Sequence, residues 1–122
     1  MADPRHVLGL AAEEATAAWL ERSGWRVVGR RCRAAGGGEV DLLALDAQRV
    51  LVAVEIRARR TGRTGAPAET VGARHVERIR RTLVASAPAA GRHGGLRVDL
   101  VVCEPLVDRP GRWRLTRIPG VG

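Results

Sequence analysis

Lysine is missing from this chain: all 21 basic residues are arginine. Arginine is protonated at any working pH, so no lysine-type proton acceptor is available anywhere in the sequence. Phenylalanine and tyrosine are missing too, which leaves three tryptophans, Trp19, Trp25 and Trp113, as the whole aromatic complement. Together with abundant Ala and Gly, the arginine bias looks like pressure from a G+C-rich genome. The two cysteines, Cys32 and Cys103, lie far apart and belong to no CxxC or Cys/His pattern. They read as reduced, unrelated thiols. His6, His75 and His93 are equally scattered, so no zinc-site spacing is present. No apolar run approaches the length of a membrane span. The opening MADPRHVLGLAAEEA meets acids where a signal peptide would need its apolar centre. The expectation is a cytoplasmic protein with no membrane partner.

What is present fits a globular chain of one-domain length. The 122 residues are 45% hydrophobic and 28% charged, a balance that argues against disorder. The net charge is +8, which favours polyanionic partners, nucleic acid first among them.

The most informative stretch is 36–60, GGGEVDLLALDAQRVLVAVEIRARR. In its first run Val40, Leu42 and Ala44 alternate with Asp41, Leu43 and Leu45. In its second, Val50, Val52, Val54 and Ile56 alternate with Leu51, Ala53, Glu55 and Arg57. Successive strand side chains point to opposite faces. Each run therefore has one apolar face and one that turns charged at its far end. Asp46-Ala47-Gln48 is a plausible hairpin loop without the Asn-Gly or Asp-Gly signal. Folded there, Asp41 comes level with Glu55 or one diagonal step away, a few ångströms to roughly 7–8 Å.

Around this hairpin the periodicities predict a helix over 7–23, with Leu8, Ala12, Ala15 and Trp19 on its buried face and Glu13 and Glu14 beside it. A short strand follows over 25–31 and ends in the basic cluster Arg30, Arg31 and Arg33. After a Gly/Thr/Arg loop over 60–68, a second helix is expected over 69–87, with Val76, Ile79 and Leu83 as its core stripe. Arg74, Arg78 and Arg81 line another side of it. Strands over 96–104 and 112–118 complete the order α-β-β-β-α-β-β. The long connection through the second helix permits a right-handed crossover. The expected class is α/β, a mixed sheet flanked by helices.

Asp41 and Glu55 are hard oxygen ligands of the kind that hold Mg²⁺ while water completes the octahedron. A bound ion of that type polarises a phosphate and lowers the pKa of a bound water. A neighbouring cation such as Arg57 can stabilise the attacked phosphate.

The spacing also carries a resemblance. Gly38-Glu39-Val40-Asp41-Leu42-Leu43-Ala44 followed by Val54-Glu55-Ile56-Arg57-Ala58-Arg59 resembles the YraN-type bacterial protein family. That family's pattern is G-E-[IV]-D-L-[IV]-A and then [VF]-[VF]-E-V-K-x-R. Glu13 to Leu20 with Gly24-Trp25, then Gly65, Pro67, Glu69 and Val71, and then Arg97-Val98-Asp99-Leu100-Val101 look like its other ordered segments. The resemblance implies a restriction-endonuclease-like core of the PD-(D/E)xK superfamily, similar to archaeal Holliday-junction resolvases. It implies Asp41 and Glu55 as ligands of Mg²⁺ or Mn²⁺, Glu13 as an auxiliary acid, and Arg57 at the position of the catalytic Lys. Arg59, Arg60, Arg63, Arg74, Arg78 and Arg81 would then grip nucleic acid, DNA by preference. Two departures stand out. Arg57 replaces the Lys, and His75 stands where the family often carries another Lys.

Simpler readings remain beside this one. Asp41, Glu55 and Arg57 alone describe a cross-strand ion pair on a sheet edge. Glu13 alone is a solvated helix residue, and Arg74, Arg78 and Arg81 a solvated helix face. Asp99 reads as a strand-end acid paired to Arg97 or Arg112. Trp25 and Trp113 read as core residues before stacking platforms for bases. A catalytically inactive nucleic-acid-binding or partner-binding protein of the same fold is the alternative function.

Overall fold

In a computed structural model, which describes residues 3–59 and 71–121, the chain runs α1 (Pro4–Arg22), β1 (Arg26–Cys32), β2 (Val40–Leu45), β3 (Leu51–Ala58), α2 (Ala73–Ser86), β4 (Leu96–Pro105) and β5 (Trp113–Ile118). A short 3₁₀ turn, Ala87–Ala89, closes α2. The five strands form one mixed sheet in the order β1-β2-β3-β4-β5. Only β3 and β4 are parallel, joined by the crossover through α2. The class is α/β, with the arrangement of a restriction-endonuclease-like core. Among the described residues no helix is long and apolar enough to cross a membrane.

The two helices cover opposite faces of the sheet. Val76, Ile79 and Leu83 of α2 pack on Leu43, Leu45, Ala53 and Val98. Ala12, Ala17 and Leu20 of α1 pack on Leu42, Val52, Val54 and Val101. β3 is therefore buried on both faces from Leu51 to Glu55. That explains why its sequence reads as a continuous apolar run before it becomes charged.

The buried face of α1 is rotated from the expected stripe. Ala12, Glu13, Thr16, Ala17 and Leu20 are buried, whereas Leu8, Ala15 and Trp19 are only half-buried. Small side chains on the inner face let the helix approach the sheet closely, and Trp19 is left at the margin. The helix then stops as its Ser23-Gly24 ending predicts. Gly24 is left-handed at φ 88, its N–H bonds Glu21 O, and Trp25 N–H bonds Leu20 O. That pairing satisfies the last carbonyls of the helix.

Two loops are set by local chemistry. Asp46 Oδ1 accepts the N–H groups of Gln48 and Val50, both at 2.9 Å, which shapes the β2–β3 hairpin without glycine. The Gly36–Gly38 run docks against α2. A Cβ on Gly37 would sit 2.2 Å from Thr82 Oγ1 and 3.1 Å from Thr82 N. Gly38 N–H bonds Arg78 O at 2.8 Å, and Thr82 Oγ1 donates to Gly38 O at 2.5 Å. Residues without side chains are needed for β2 to start this close to the helix.

Asp99, level with Val54 of β3, is fully buried and anchors a network that runs toward the hairpin end of the sheet. Arg97 Nε and Nη2 donate to it at 2.7 and 3.0 Å, Arg117 Nη1 at 2.9 Å and Gly120 N–H at 3.0 Å. Arg97 also reaches Asp46 at 3.1 Å. Both guanidinium groups lie over the Trp25 ring, at 6.0 and 5.2 Å. Asp99 is thus paired with Arg97 and Arg117 rather than with Arg112, and the arginines cover the tryptophan that was a candidate stacking surface. Asp99→Ala is expected to destabilise the protein by about 3 kcal/mol, the low end for breaking a buried pair, because both arginines keep a route to water. The exposed edge change Arg114→Ala should stay within about 0.5 kcal/mol. Urea unfolding midpoints compare the two.

Candidate active site

The opposite end of the β2–β3 hairpin is where the ladder comes apart. Its last pair is Leu42↔Val54, and the next pair outward would set Asp41 level with Glu55. The same register would hand the Ile56 N–H to Val40, but Asp41 Oδ2 accepts it instead, at 2.8 Å. A side-chain carboxyl thus substitutes for a backbone acceptor at the point where the strands part.

Asp41 and Glu55 meet there through a side-chain hydrogen bond. Burial pushes the Asp41 carboxyl up to about 8, with the hydrogen bond to Glu55 and the charge of Glu55 acting in the same direction. The Ile56 N–H opposes this weakly, by favouring the ionised form. Asp41 is therefore the protonated partner near neutral pH. Glu55 is 3% exposed. Its Oε2 also takes a contact from Arg57 Nη2 at 3.3 Å and the hydrogen bond from His75 Nε2. Arg57 lies on the same face of β3 two residues on, and His75 is in the first turn of α2. Burial lowers the His75 pKa, and the charges of Arg57 and Arg78 lower it further. A neutral imidazole donates its Nε2–H to Glu55. Arg57 Nε is buried and has no acceptor among the described residues.

On the α1 side, Asp41 borders a cavity of about 380 Å³. His6, Glu13, Arg31 and Glu39 supply its polar wall, and Leu10, Ile56 and Ala58 its apolar one. Glu13 is buried, with Arg31 Nε donating to its Oε2 at 3.3 Å. The rotation of α1 explains this. Glu13 was expected beside the apolar stripe and lies within the buried face.

The expected nucleic-acid contacts are distributed differently. Arg74, Arg78 and Arg81 are exposed along α2. Arg81 makes a 3.9 Å contact with Glu77 and a 3.5 Å bond to Gly36 O. Arg59 bonds Cys103 O through its backbone N–H at 2.8 Å. Arg60 and Arg63, with Gly65, Pro67 and Glu69, lie outside the described residues. Sequence reasoning noted His75 and Arg31 but did not bring them to the carboxyls. For Arg31 the signal lay in strand pairing. Arg30↔Leu42 and Cys32↔Val40 set Arg31 across from Asp41.

Residues 12–103, which hold the site's carboxyls, its arginines and His75, match the Uncharacterised protein family UPF0102. The chain belongs to this family. It is 39% identical to a UPF0102 protein of Anaeromyxobacter dehalogenans, over 91% of this chain and 93% of the relative. A UPF0102 protein of Pelotomaculum thermopropionicum is 38% identical over 92% and 91%. One from an Arthrobacter species is 35% identical over 97% and 98%. This UPF0102 chain thus aligns with these three relatives along nearly their full length, and the YraN-type resemblance is consistent with that membership.

The titration of Asp41 has a signed consequence for this UPF0102 fold. Its folded pKa of about 8 exceeds the ordinary 3.8, so between those values the folded state binds more protons than the unfolded state. Its contribution to stability is therefore greatest at low pH. That contribution is lost as pH rises from about 4 to about 8, and is level above. Asp41→Asn should remove this fall. The stability difference between variant and wild type should widen in favour of the variant from pH 5 to pH 9, measured by urea unfolding at each pH.

Proposed function

We propose that this protein is an endonuclease-like, divalent-cation-dependent hydrolase of phosphodiester bonds in DNA. The observation that supports this best is the meeting of Asp41 and Glu55 at the parted end of the ladder. A single proton holds the two carboxyls together there, and a divalent cation is the natural replacement for it. The donor set fits Mg²⁺ or Mn²⁺, hard ions that take one or two carboxylates and keep several waters. Among the described residues no group of three or more His, Cys, Asp or Glu side chains is arranged to hold a metal, so water would complete the shell. The bound cation would polarise the phosphate and lower the pKa of a water molecule.

The chain's own residues divide the remaining work. Arg57 is a fixed cation beside Glu55, and its side chain, 37% exposed, keeps guanidinium donors for a phosphate oxygen. It cannot accept a proton. Glu13 sits across the cavity as the auxiliary acid. The exposed Arg74, Arg78 and Arg81 side chains, with Arg59, lie outside the carboxyl pair and would follow the backbone of a bound strand. A cytoplasmic location fits such a substrate.

A second reading, a nucleic-acid-binding protein without turnover, is favoured by one observation. The residue at the Lys position is an arginine already in contact with Glu55.

The test is cleavage of single-stranded, branched and supercoiled DNA in Mg²⁺ or Mn²⁺. Asp41→Asn and Glu55→Gln should each lower the rate by more than about 100-fold, beyond the loss seen when only the orientation of metal ligands is disturbed. Equal residual cleavage in wild type and both variants would defeat the proposal. If the wild type binds DNA but does not cut it, Arg57→Lys decides between the readings. A gain of cleavage would mean an intact site with a mistuned cation, and no gain would favour the binding protein.

A further inference from the structure

Arg31 occupies an unusual place. Its backbone is left-handed at φ 50, just beyond the register irregularity between Val27 and Gly29. A bulky residue is uncommon in that conformation. The result is that its guanidinium reaches the cavity bordered by Asp41, Glu13 and Glu39. It is the sole arginine on that wall among the described residues.

Its engagement is partial. Nε donates to Glu13 Oε2 at 3.3 Å, and the two Nη groups have no acceptor among the described residues. The neighbouring Arg30 bonds Glu14 at 2.8 Å, and Arg33 reaches Glu39 at 3.1 Å. A guanidinium is a fork suited to two parallel bonds with a carboxylate or phosphate, and here one long bond uses a single tine. The exposures are unequal as well. The Arg31 side chain is 52% exposed and that of Glu13 10%, so the cation has room to move and the acid does not.

We propose that Arg31 is a phosphate-binding latch over Glu13. It covers the buried carboxylate in the free protein. It turns to a backbone phosphate when a nucleic-acid strand reaches the cavity beside Asp41. Turning the fork outward gives the phosphate two donors and takes the cation away from the Glu13 carboxylate on the cavity wall. The inference rests on the nucleic-acid reading of this site and adds to it a residue that couples strand binding to the state of Glu13. The acids of the cavity wall would repel a phosphate, so the strand's approach on this side depends on Arg31.

The experiment measures binding of a fluorescein-labelled single-stranded DNA by anisotropy across a salt series in EDTA, so that cleavage plays no part. Arg31→Gln should reduce the slope of log affinity against log salt by about 0.7, the loss of one phosphate contact on a single strand. Arg31→Gly should do the same, and glycine also suits the left-handed backbone, so misfolding cannot account for the change. Glu13→Gln releases the latch and should tighten binding by about 5-fold or more, the lower end of coupling between linked sites. In the Arg31→Gln background it should have no effect. Unchanged slopes in both Arg31 variants, with binding retained, would overturn the latch and leave the nucleic-acid reading standing. So would equal tightening by Glu13→Gln with and without Arg31, since that describes a general charge effect. No binding by the wild type at low salt would overturn both.

Discussion

A carboxyl removed from water beside a second carboxyl cannot keep both charges unless something compensates one of them. At the parted end of β2 and β3 this constraint governs every neighbouring side chain. Asp41 takes a proton and a backbone N–H, and Glu55 takes both Arg57 and His75 on its Oε2. Each contact answers the electrostatic cost of the pair. The packing that makes the cost so high is ordinary: two helices on opposite faces of one sheet, and a central strand with no exposed face until its final residues.

The sheet divides its charged groups between two ends that behave differently. In the network that runs toward the hairpin, Asp99 has four donors, and two arginines lie over Trp25. Both oxygens of that buried carboxylate are filled, and a satisfied buried group rigidifies what it joins. The other end is unfinished. Arg57 Nε lacks an acceptor, Arg31 uses one of its nitrogens, and Glu13 looks into a cavity. Polar groups left open around a cavity are what a ligand would complete, whereas the Asp99 carboxylate already has four donors.

Much of the fold was legible because it is written in local periodicity. The alternation in 40–45 and 50–57 marked the hairpin, and the valine-rich run over 96–104 marked β4. The Val76, Ile79 and Leu83 stripe marked the buried side of α2. Failures came where burial depended on partners. Leu8, Ala15 and Trp19 looked like the inner face of α1, but the helix is rotated against the sheet and buries Ala12, Glu13, Thr16, Ala17 and Leu20 instead. Likewise the need for glycine at 37 and 38 depends on α2 lying against them.

The sequence by itself determined the strands, the helices, the family pattern, and the presence of two acids and an arginine at the ends of adjacent strands. These are properties of residues a few positions apart, and a period of 2 or 3.6 encodes them. Tertiary structure decided which distant residues meet. The return of the chain through α2 set His75 against Glu55, and the pairing of β1 with β2 set Arg31 across from Asp41. The rotation of α1 placed Glu13 inside the buried face. Each depends on register, crossover and helix rotation, which follow from the fit of whole elements and leave no trace in the spacing of the residues concerned.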